Sequence, residues 1–322
     1  GLGVGKTCSS IAIAEGFKTE RQIVVILQKS IKQNYISQLK ECGDMYFRHQ
    51  NHWEFVRTTT TEKINFALKL GIPKKVLKRE GGCFLIDFSQ KEPNYDDMTE
   101  FMKNKLEEQI NDMIDAKYKF VHSNGLTTAQ LNNMEATNFF DNKVVVIDEV
   151  HNLINGMASE GSMRSVRLNQ LFMSCNNTKF VFLSGTPMKN VPFEIAKLYN
   201  ILRGPIEVDE IKVNSSMTNG HKVDFNRLEK VLQNNKLIDQ VIIQPKSKVI
   251  KVTRNPYGFV RTEDNSGLIK SSENAVIHQV YIENLEMYLL EHGYQVKSVR
   301  HYQTTLFPDD NKAFMARFYN SV

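Results

Sequence analysis

The amino-acid sequence predicts an α/β protein: a parallel, doubly wound sheet with helices on both faces, followed by an appended α+β segment. Three observations carry this. Ile23–Leu27, Val144–Ile147 and Phe180–Leu183 are uninterrupted apolar runs, the pattern of strands buried on both faces rather than on one. Stretches with apolar residues at helical spacing separate such runs, and strands alternating with helices imply parallel order. Beyond Gly204 the composition shifts toward Asn, Ser and Lys, which marks a boundary near that residue.

Taken in order, Gly1–Thr7 reads as loop and Cys8–Glu20 as a helix small and apolar enough to pack on a sheet. After the Ile23–Leu27 strand, the spacing of Ile31, Tyr35, Ile36 and Leu39 predicts a helix over Ile31–Cys42. From about 44 to 117 the pattern loosens and reads as an insertion, with a short strand at Trp53–Val56 and an amphipathic helix at Met98–Ile114. Phe120–His122 is a short strand ending in the turn Ser123-Asn124-Gly125. The runs at Val144 and Phe180 each end in polar residues, and open parallel sheets bind ligands at those carboxyl ends. Past the boundary, Val223–Asn234 is helical, and Val241–Ile243 with Lys248–Val252 suggests a hairpin around Pro245. The expected division is therefore 1–204, carrying the insertion, and 205–322.

Bulk properties narrow the class without choosing a function. With 322 residues, 41% hydrophobic and 24% charged, the chain reads as an ordinary globular protein able to bury a sizeable core. A net charge of +5 permits polyanion binding without demonstrating it. Cys8, Cys42, Cys83 and Cys175 are widely spaced with no CxxC pair, suggesting neither a zinc site nor a disulfide framework and fitting a reducing, intracellular compartment. No run of about 18 apolar residues predicts a membrane span. The chain opens without Met inside a glycine-rich loop, so a strand leading into that loop is expected upstream.

The chemistry sits in three motifs. Gly1-Leu-Gly-Val-Gly-Lys-Thr7 matches the second part of a phosphate-binding loop, in which glycines let backbone amides approach phosphates and the following helix aims its positive end at them. Gly3, Val4, Gly5, Lys6, Thr7 and Cys8 form the expected nucleotide set: Lys6 reaches the β and γ phosphates of ATP and the Thr7 hydroxyl meets Mg2+. Val144-Val-Val-Ile-Asp-Glu-Val-His151 places two carboxylates past a buried strand, where a cation offsets the cost of their burial. Asp148 suits the Mg2+ shell and Glu149 the orienting and deprotonation of water. In Phe180-Val-Phe-Leu-Ser-Gly-Thr-Pro187, the small hydroxyl residues around Ser184, Gly185 and Thr186 can hydrogen-bond the acidic motif and report the γ-phosphate state. A plain glycine turn, an acidic strand end and a β-turn at Pro187 are the bland alternatives. The order of the three motifs weighs against them.

The series GVGKT, DEVH and SGTP, with Asn255-Pro-Tyr-Gly-Phe259, resembles superfamily 2 helicases of the Swi2/Snf2-like group. More narrowly, it is similar to large-DNA-virus ATPases related to the poxvirus nucleoside triphosphatase I and the early transcription factor small subunit. The resemblance runs over Gly1 to about Leu202 and is thin afterwards. It implies a RecA-like P-loop lobe that hydrolyses ATP with Mg2+ while moving on nucleic acid, DNA rather than RNA, without sequence preference and alongside transcription machinery in host cytoplasm or virion. It also implies that Gln28-Lys29-Ser30 and Ser123-Asn124 touch the nucleic-acid backbone and that His151 couples the nucleotide to movement. In such proteins a second lobe completes the site with arginine fingers; no second-lobe motif precedes Val322, so low activity is expected of this stretch alone.

Other features read as structural. Trp53 is expected in the core, His49 and His52 at the surface, Thr58–Thr61 as strand or loop hydroxyls, and the Lys69, Lys74, Lys75, Lys78, Arg79 cluster as a solvated face that could track phosphates. Two rival functions share the motifs: a different P-loop ATPase, such as a restriction-type translocase subunit, and a non-catalytic nucleotide-binding scaffold. The intact Gly-Lys-Thr and Asp-Glu sets speak against the scaffold.

Overall fold

A computed structural model describes the chain except for residues 1–4, 18–19, 160–162, 216–222, 245, 248, 257, 263–267, 273–275 and 320–322. Pro245 and Tyr257, part of two sequence expectations, lie outside the described residues. The chain divides into two compact units, Gly1–Glu194 and Ile195–Val322.

In the first unit the elements are α1 (Lys6–Glu15), β1 (Gln22–Leu27), α2 (Lys32–Cys42), β2 (Trp53–Arg57), α3 (Thr61–Lys69), α4 (Lys74–Glu80), β3 (Gly82–Ile86) and α5 (Glu100–Lys117). There follow β4 (Tyr118–His122), α6 (Thr128–Ala136), β5 (Lys143–Ile147), α7 (His151–Ala158), α8 (Met163–Ser174) and β6 (Lys179–Phe182). Strands β4, β1, β5 and β6 form a sheet in that order, every neighbouring pair parallel. Ile23, Val25 and Leu27 with Val144 and Val146 pack into one core shared with α1, α2 and α5. Val24, Ile26, Val145 and Ile147 alternate with these and are equally buried, so both faces are covered. That two-sided burial is why the runs of β1 and β5 are unbroken in sequence; β6, last in the sheet order, is only half-buried along its length, so the expectation of full burial is corrected for Phe180–Leu183. The unit is a RecA-like α/β lobe.

Between α2 and β4 the chain builds β2 and β3 as an antiparallel pair with α3, α4 and α5. A pair of strands has two open edges, and here side-chain amides close them. Asn94 accepts from the Trp53 amide (2.8 Å) and donates to its carbonyl (3.0 Å). Buried Gln109 does the same for Phe84, at 2.8 and 2.9 Å. Each device satisfies a peptide group that no strand pairs. Trp53 is in the core, as expected, edge-on to Tyr46. Thr60 and Thr99 cap α3 and α5 through their hydroxyls.

Two further expectations are corrected. Cys8 and Cys42 are joined in a disulfide: α1 and α2 lie side by side, which brings Cα atoms 34 residues apart in sequence to 5.8 Å, inside the bridging range. Cys83 and Cys175 are free thiols. His49 is not a plain surface residue; it stacks on Tyr95 with ring centroids 4.3 Å apart and pairs with Glu107. The basic cluster is a solvated face, as expected: Lys69, Lys74, Lys75, Lys78 and Arg79 are all exposed, and Lys75 and Arg79 also pair with Asp112 of α5.

Helix α9 (Phe193–Arg203) leads into the second unit, which holds β7 (Ile206–Ser215), α10 (Phe225–Gln233), β8 (Ile238–Gln244), β9 (Val249–Arg254), β10 (Phe259–Arg261), β11 (Ile269–Ser271), α11 (His278–Glu291), β12 (Tyr294–Thr304) and α12 (Asn311–Tyr319). Its main sheet is antiparallel in the order β12-β7-β9-β8. Leu228 and Leu232 of α10 and Tyr281, Leu285 and Leu289 of α11 pack with the sheet residues Ile211, Ile250 and Val252. The β8–β9 hairpin and the α10 helix match the sequence expectation. No helix among the described residues is long and apolar enough to cross a membrane.

Candidate functional site

Parallel strands deliver all their carboxyl ends to one edge, and the motif residues sit along it. Backbone bonds fix their spacing: Ser123 N donates to Leu27 O (2.9 Å), Asp148 N to Ile26 O (3.0 Å), Leu183 N to Ile147 O (2.9 Å) and Val150 N to Leu183 O (3.0 Å). The loops beginning at Ser123, Gln28, Asp148 and Ser184 therefore stand in a row in sheet order.

Helix α1 starts at Lys6, so Lys6, Thr7 and Cys8 occupy its first turn, and Gly5 caps it with φ +87°, a conformation L side chains rarely adopt. Gly3 and Val4 lie outside the described residues. Lys6 Nζ stands 3.3 Å from Glu149 Oε1, across 143 residues of chain. From Glu149 a polar chain continues: Oε2 is 3.2 Å from His151 Nδ1, Nδ1 is 3.0 Å from Ser184 Oγ, and Ser184 Oγ accepts from the Thr186 amide at 3.0 Å. A Cβ built on Gly185 would meet Lys6 Nζ at 3.8 Å, so the lysine tip faces this third motif as well. The structure thus brings Lys6, Glu149, His151, Ser184, Gly185 and Thr186 into one continuous cluster.

Asp148 and Glu149 are held differently. Asp148 is half-buried, and its Oδ1 accepts from the Glu149 amide at 2.9 Å. Burial pushes its carboxyl above the ordinary range; the Glu149 charge pushes the same way, while the Glu149 amide and Lys6 pull it down without cancelling the rise. Such a carboxylate is short of positive charge, which is what a divalent cation supplies. Together with the Thr7 hydroxyl in the first turn of α1, the carboxylate would offer a hard-oxygen donor set suited to Mg2+. Glu149 has φ +48°, a conformation that costs energy for a residue with a Cβ and clusters at functional sites.

Two supporting residues escaped the sequence reading. Glu194 is fully buried and accepts from the backbone amides of Lys189 (2.6 Å) and Asn190 (3.2 Å), anchoring the loop that carries Ser184–Thr186. Its carboxylate lies just past a motif with no local pattern to flag it. His122 ends β4 with a buried Nδ1 that has no hydrogen-bond partner among the described residues. Of the residues assigned to a nucleic-acid backbone, Lys29, Ser30 and Asn124 are exposed, whereas Gln28 and Ser123 are half-buried. Gln28 leads into a short 3-10 turn, Lys29–Ile31. Pairing of β1 with β4 makes the two loops neighbours.

No protein-family model matches the chain. It is 29% identical over 237 residues, 70% of its length, to a candidate ATP-dependent RNA helicase of Acanthamoeba polyphaga mimivirus, of which it spans 19%. It is 27% identical over 216 residues, 65% of its length, to a candidate helicase of Invertebrate iridescent virus 3, of which it spans 18%. Over 66 residues, 20% of its length, it is 33% identical to termination factor NPH-I homologs of African swine fever virus, covering 9% of them. The chain therefore spans about a fifth of the first of these relatives.

Proposed function

We propose that this chain carries, in its first unit, the first, ATP-binding lobe of an ATP-driven motor that moves on nucleic acid, a reading supported by its similarity to viral helicases and termination-factor homologs. The observation that carries the reading is the Lys6–Glu149–His151–Ser184 cluster, drawn from three separate loops at one sheet edge. Structural ion pairs do not need a phosphate-binding loop, a metal-matched carboxylate and a hydroxyl relay in one place.

In this reading Lys6 leaves Glu149 for the β and γ phosphates of ATP, since its ammonium is the motif's side-chain cation. Thr7 and Asp148 would hold Mg2+, which when bound spreads the charge of the phosphates. Glu149, freed of Lys6, orients water for in-line attack and takes its proton. His151 holds the other oxygen of Glu149 and passes its position to Ser184 and Thr186. A change at the γ-phosphate then reaches the loops at Lys29 and Ser123 along the same edge. Those loops suit a phosphate backbone, through Lys, Ser, Asn and amide contacts that carry no base information. DNA is the expected track. The termination-factor name of the swine fever virus relatives supports work during viral transcription.

The test is the ATPase activity of the full-length protein with duplex DNA, single-stranded DNA and single-stranded RNA, for wild type and Lys6→Ala. Stimulation by nucleic acid and loss of turnover in the variant are expected. Turnover indifferent to all three would favour a non-helicase ATPase. Absence of turnover would favour a scaffold, and normal turnover by Lys6→Ala would overturn the assignment.

A further inference from the structure

The second unit contains a cluster that the motor reading does not use. Asp209 lies on β7 and His301 on β12, directly opposite one another in the antiparallel register. His278 is the first residue of α11. Asp209 Oδ1 is 2.9 Å from His301 Nδ1 and 3.5 Å from His278 Nε2, and the three ligand-type atoms all lie within 4.8 Å of one another. We propose that Asp209, His278 and His301 form a binding site for a divalent transition-metal ion of the zinc class.

Protons alone do not satisfy the cluster. Asp209 is 0% exposed, and neither its Oδ2 nor the buried Nδ1 of His278 has a hydrogen-bond partner among the described residues. His301 faces two carboxylates, Asp209 at Nδ1 and Glu207 at Nε2, 2.8 Å away and off the line of a well-formed hydrogen bond. A neutral imidazole has one N–H and cannot serve both; a proton added to His301 alone serves both but leaves Asp209 Oδ2 and His278 Nδ1 without a partner among the described residues. Charging both histidines would set two cations with ring centroids 3.9 Å apart. Nearby Arg254 is engaged elsewhere, with the Val276 carbonyl and over the Tyr281 ring.

A metal ion resolves these conflicts together. His301 then coordinates through Nδ1 and keeps its Nε2–H for Glu207, the carboxylate–histidine–metal arrangement that orients metal ligands. His278 coordinates through Nε2, and the Asp209 charge meets a cation. Two imidazoles and one carboxylate suit zinc and its first-row neighbours over Mg2+ or Ca2+. Ligand bonds of about 2.0–2.2 Å place tetrahedral donors roughly 3.3 Å apart, close to the two distances from Asp209. His278 and His301 side chains are 34% and 38% exposed, leaving a fourth position for water. The ion would pin the start of α11 to the β7–β12 pair.

The experiment is calorimetric titration of the whole, nucleotide-free protein with zinc chloride, and separately with magnesium chloride. Cobalt chloride provides a visible-spectrum readout of coordination. One zinc ion per chain is expected, with no magnesium binding at this cluster and a tetrahedral cobalt spectrum. His301→Ala or Asp209→Asn should weaken zinc at least 100-fold and abolish the cobalt spectrum. Glu207→Gln, which keeps all three ligands and the shape of the strand, should weaken zinc by about 10- to 100-fold. Failure of zinc to bind, binding no tighter than magnesium, or affinity unchanged in both His301→Ala and Glu207→Gln would overturn the proposal.

Discussion

Opening the Cys8–Cys42 bridge tests how the phosphate-loop helix is held. The bridge ties α1, which carries Lys6 and Thr7, to α2. Its main expected effect is on the unfolded chain: closing a loop of 34 residues removes conformational entropy worth about 4 kcal/mol at 25 °C in the chain-entropy treatment. At roughly 2–4 °C per kcal/mol for a unit of this size, reduction or Cys42→Ser should lower the melting midpoint by about 8 to 15 °C. Trp53, the chain's one tryptophan, is buried in the first unit, so its fluorescence reports that unit's unfolding. Thiol titration of the denatured, unreduced protein should count the two free cysteines, Cys83 and Cys175, and four after reduction. Four thiols without reductant, or equal midpoints for oxidised and reduced protein, would refute the cross-link as a stabilising element.

Further outcomes follow from the charges. Asp148→Asn removes a half-buried carboxylate held above its ordinary range; the apo protein should be as stable as wild type or more so at neutral pH, while Mg2+-dependent ATP turnover is lost, and a less stable variant would contradict the electrostatic reading. Burial pushes the Glu107 carboxyl up, but His49 and Lys40 beside it outweigh this and hold it at about 2, against an ordinary 4.5. Because the folded value is the lower one, its stabilisation is present above pH 4.5 and fades as pH falls toward 2. Glu107→Gln should therefore cost about 2–3 kcal/mol in urea unfolding at pH 7, somewhat under half of that at pH 3 and little at pH 2, and a penalty independent of pH would rule this out. Lys29→Ala should weaken binding to unrelated nucleic acids alike and make the salt slope shallower by about one; an unchanged slope would remove this loop from the track.

The sheet was readable because strands buried on two faces cannot carry polar residues: Val144, Val145, Val146 and Ile147 are all buried. Motif residues were readable because phosphate and metal chemistry restricts residue type at fixed spacing. The insertion was read only as a loose region with one strand and one helix. The partner strand Gly82–Ile86 is short, and the amides that close its edge and that of β2 come from Gln109 and Asn94, contacts between distant residues. The same reason hid the Cys8–Cys42 bridge, which needs α1 and α2 docked. It also hid the Asp209–His278–His301 cluster, whose members meet only through sheet register and a helix start. The positive φ of Glu149 had no local signature, since glycine or asparagine usually fills that conformation.

Single-turnover hydrolysis separates the two roles assigned to the site, Glu149 handling water and Lys6 with Asp148 holding the nucleotide. Full-length wild type and Glu149→Gln would be loaded with ATP and Mg2+, and binding and cleavage would be followed separately. The Lys6–Glu149 pair has side chains 38% and 35% exposed, so its loss should contribute well under about 1 kcal/mol to stability, and both proteins stay folded for the comparison. In Glu149→Gln, ATP affinity should stay within about threefold of wild type and cleavage should slow by roughly 10²-fold or more. Cleavage at the wild-type rate, or loss of ATP binding with the chemistry unchanged, would contradict this division of roles.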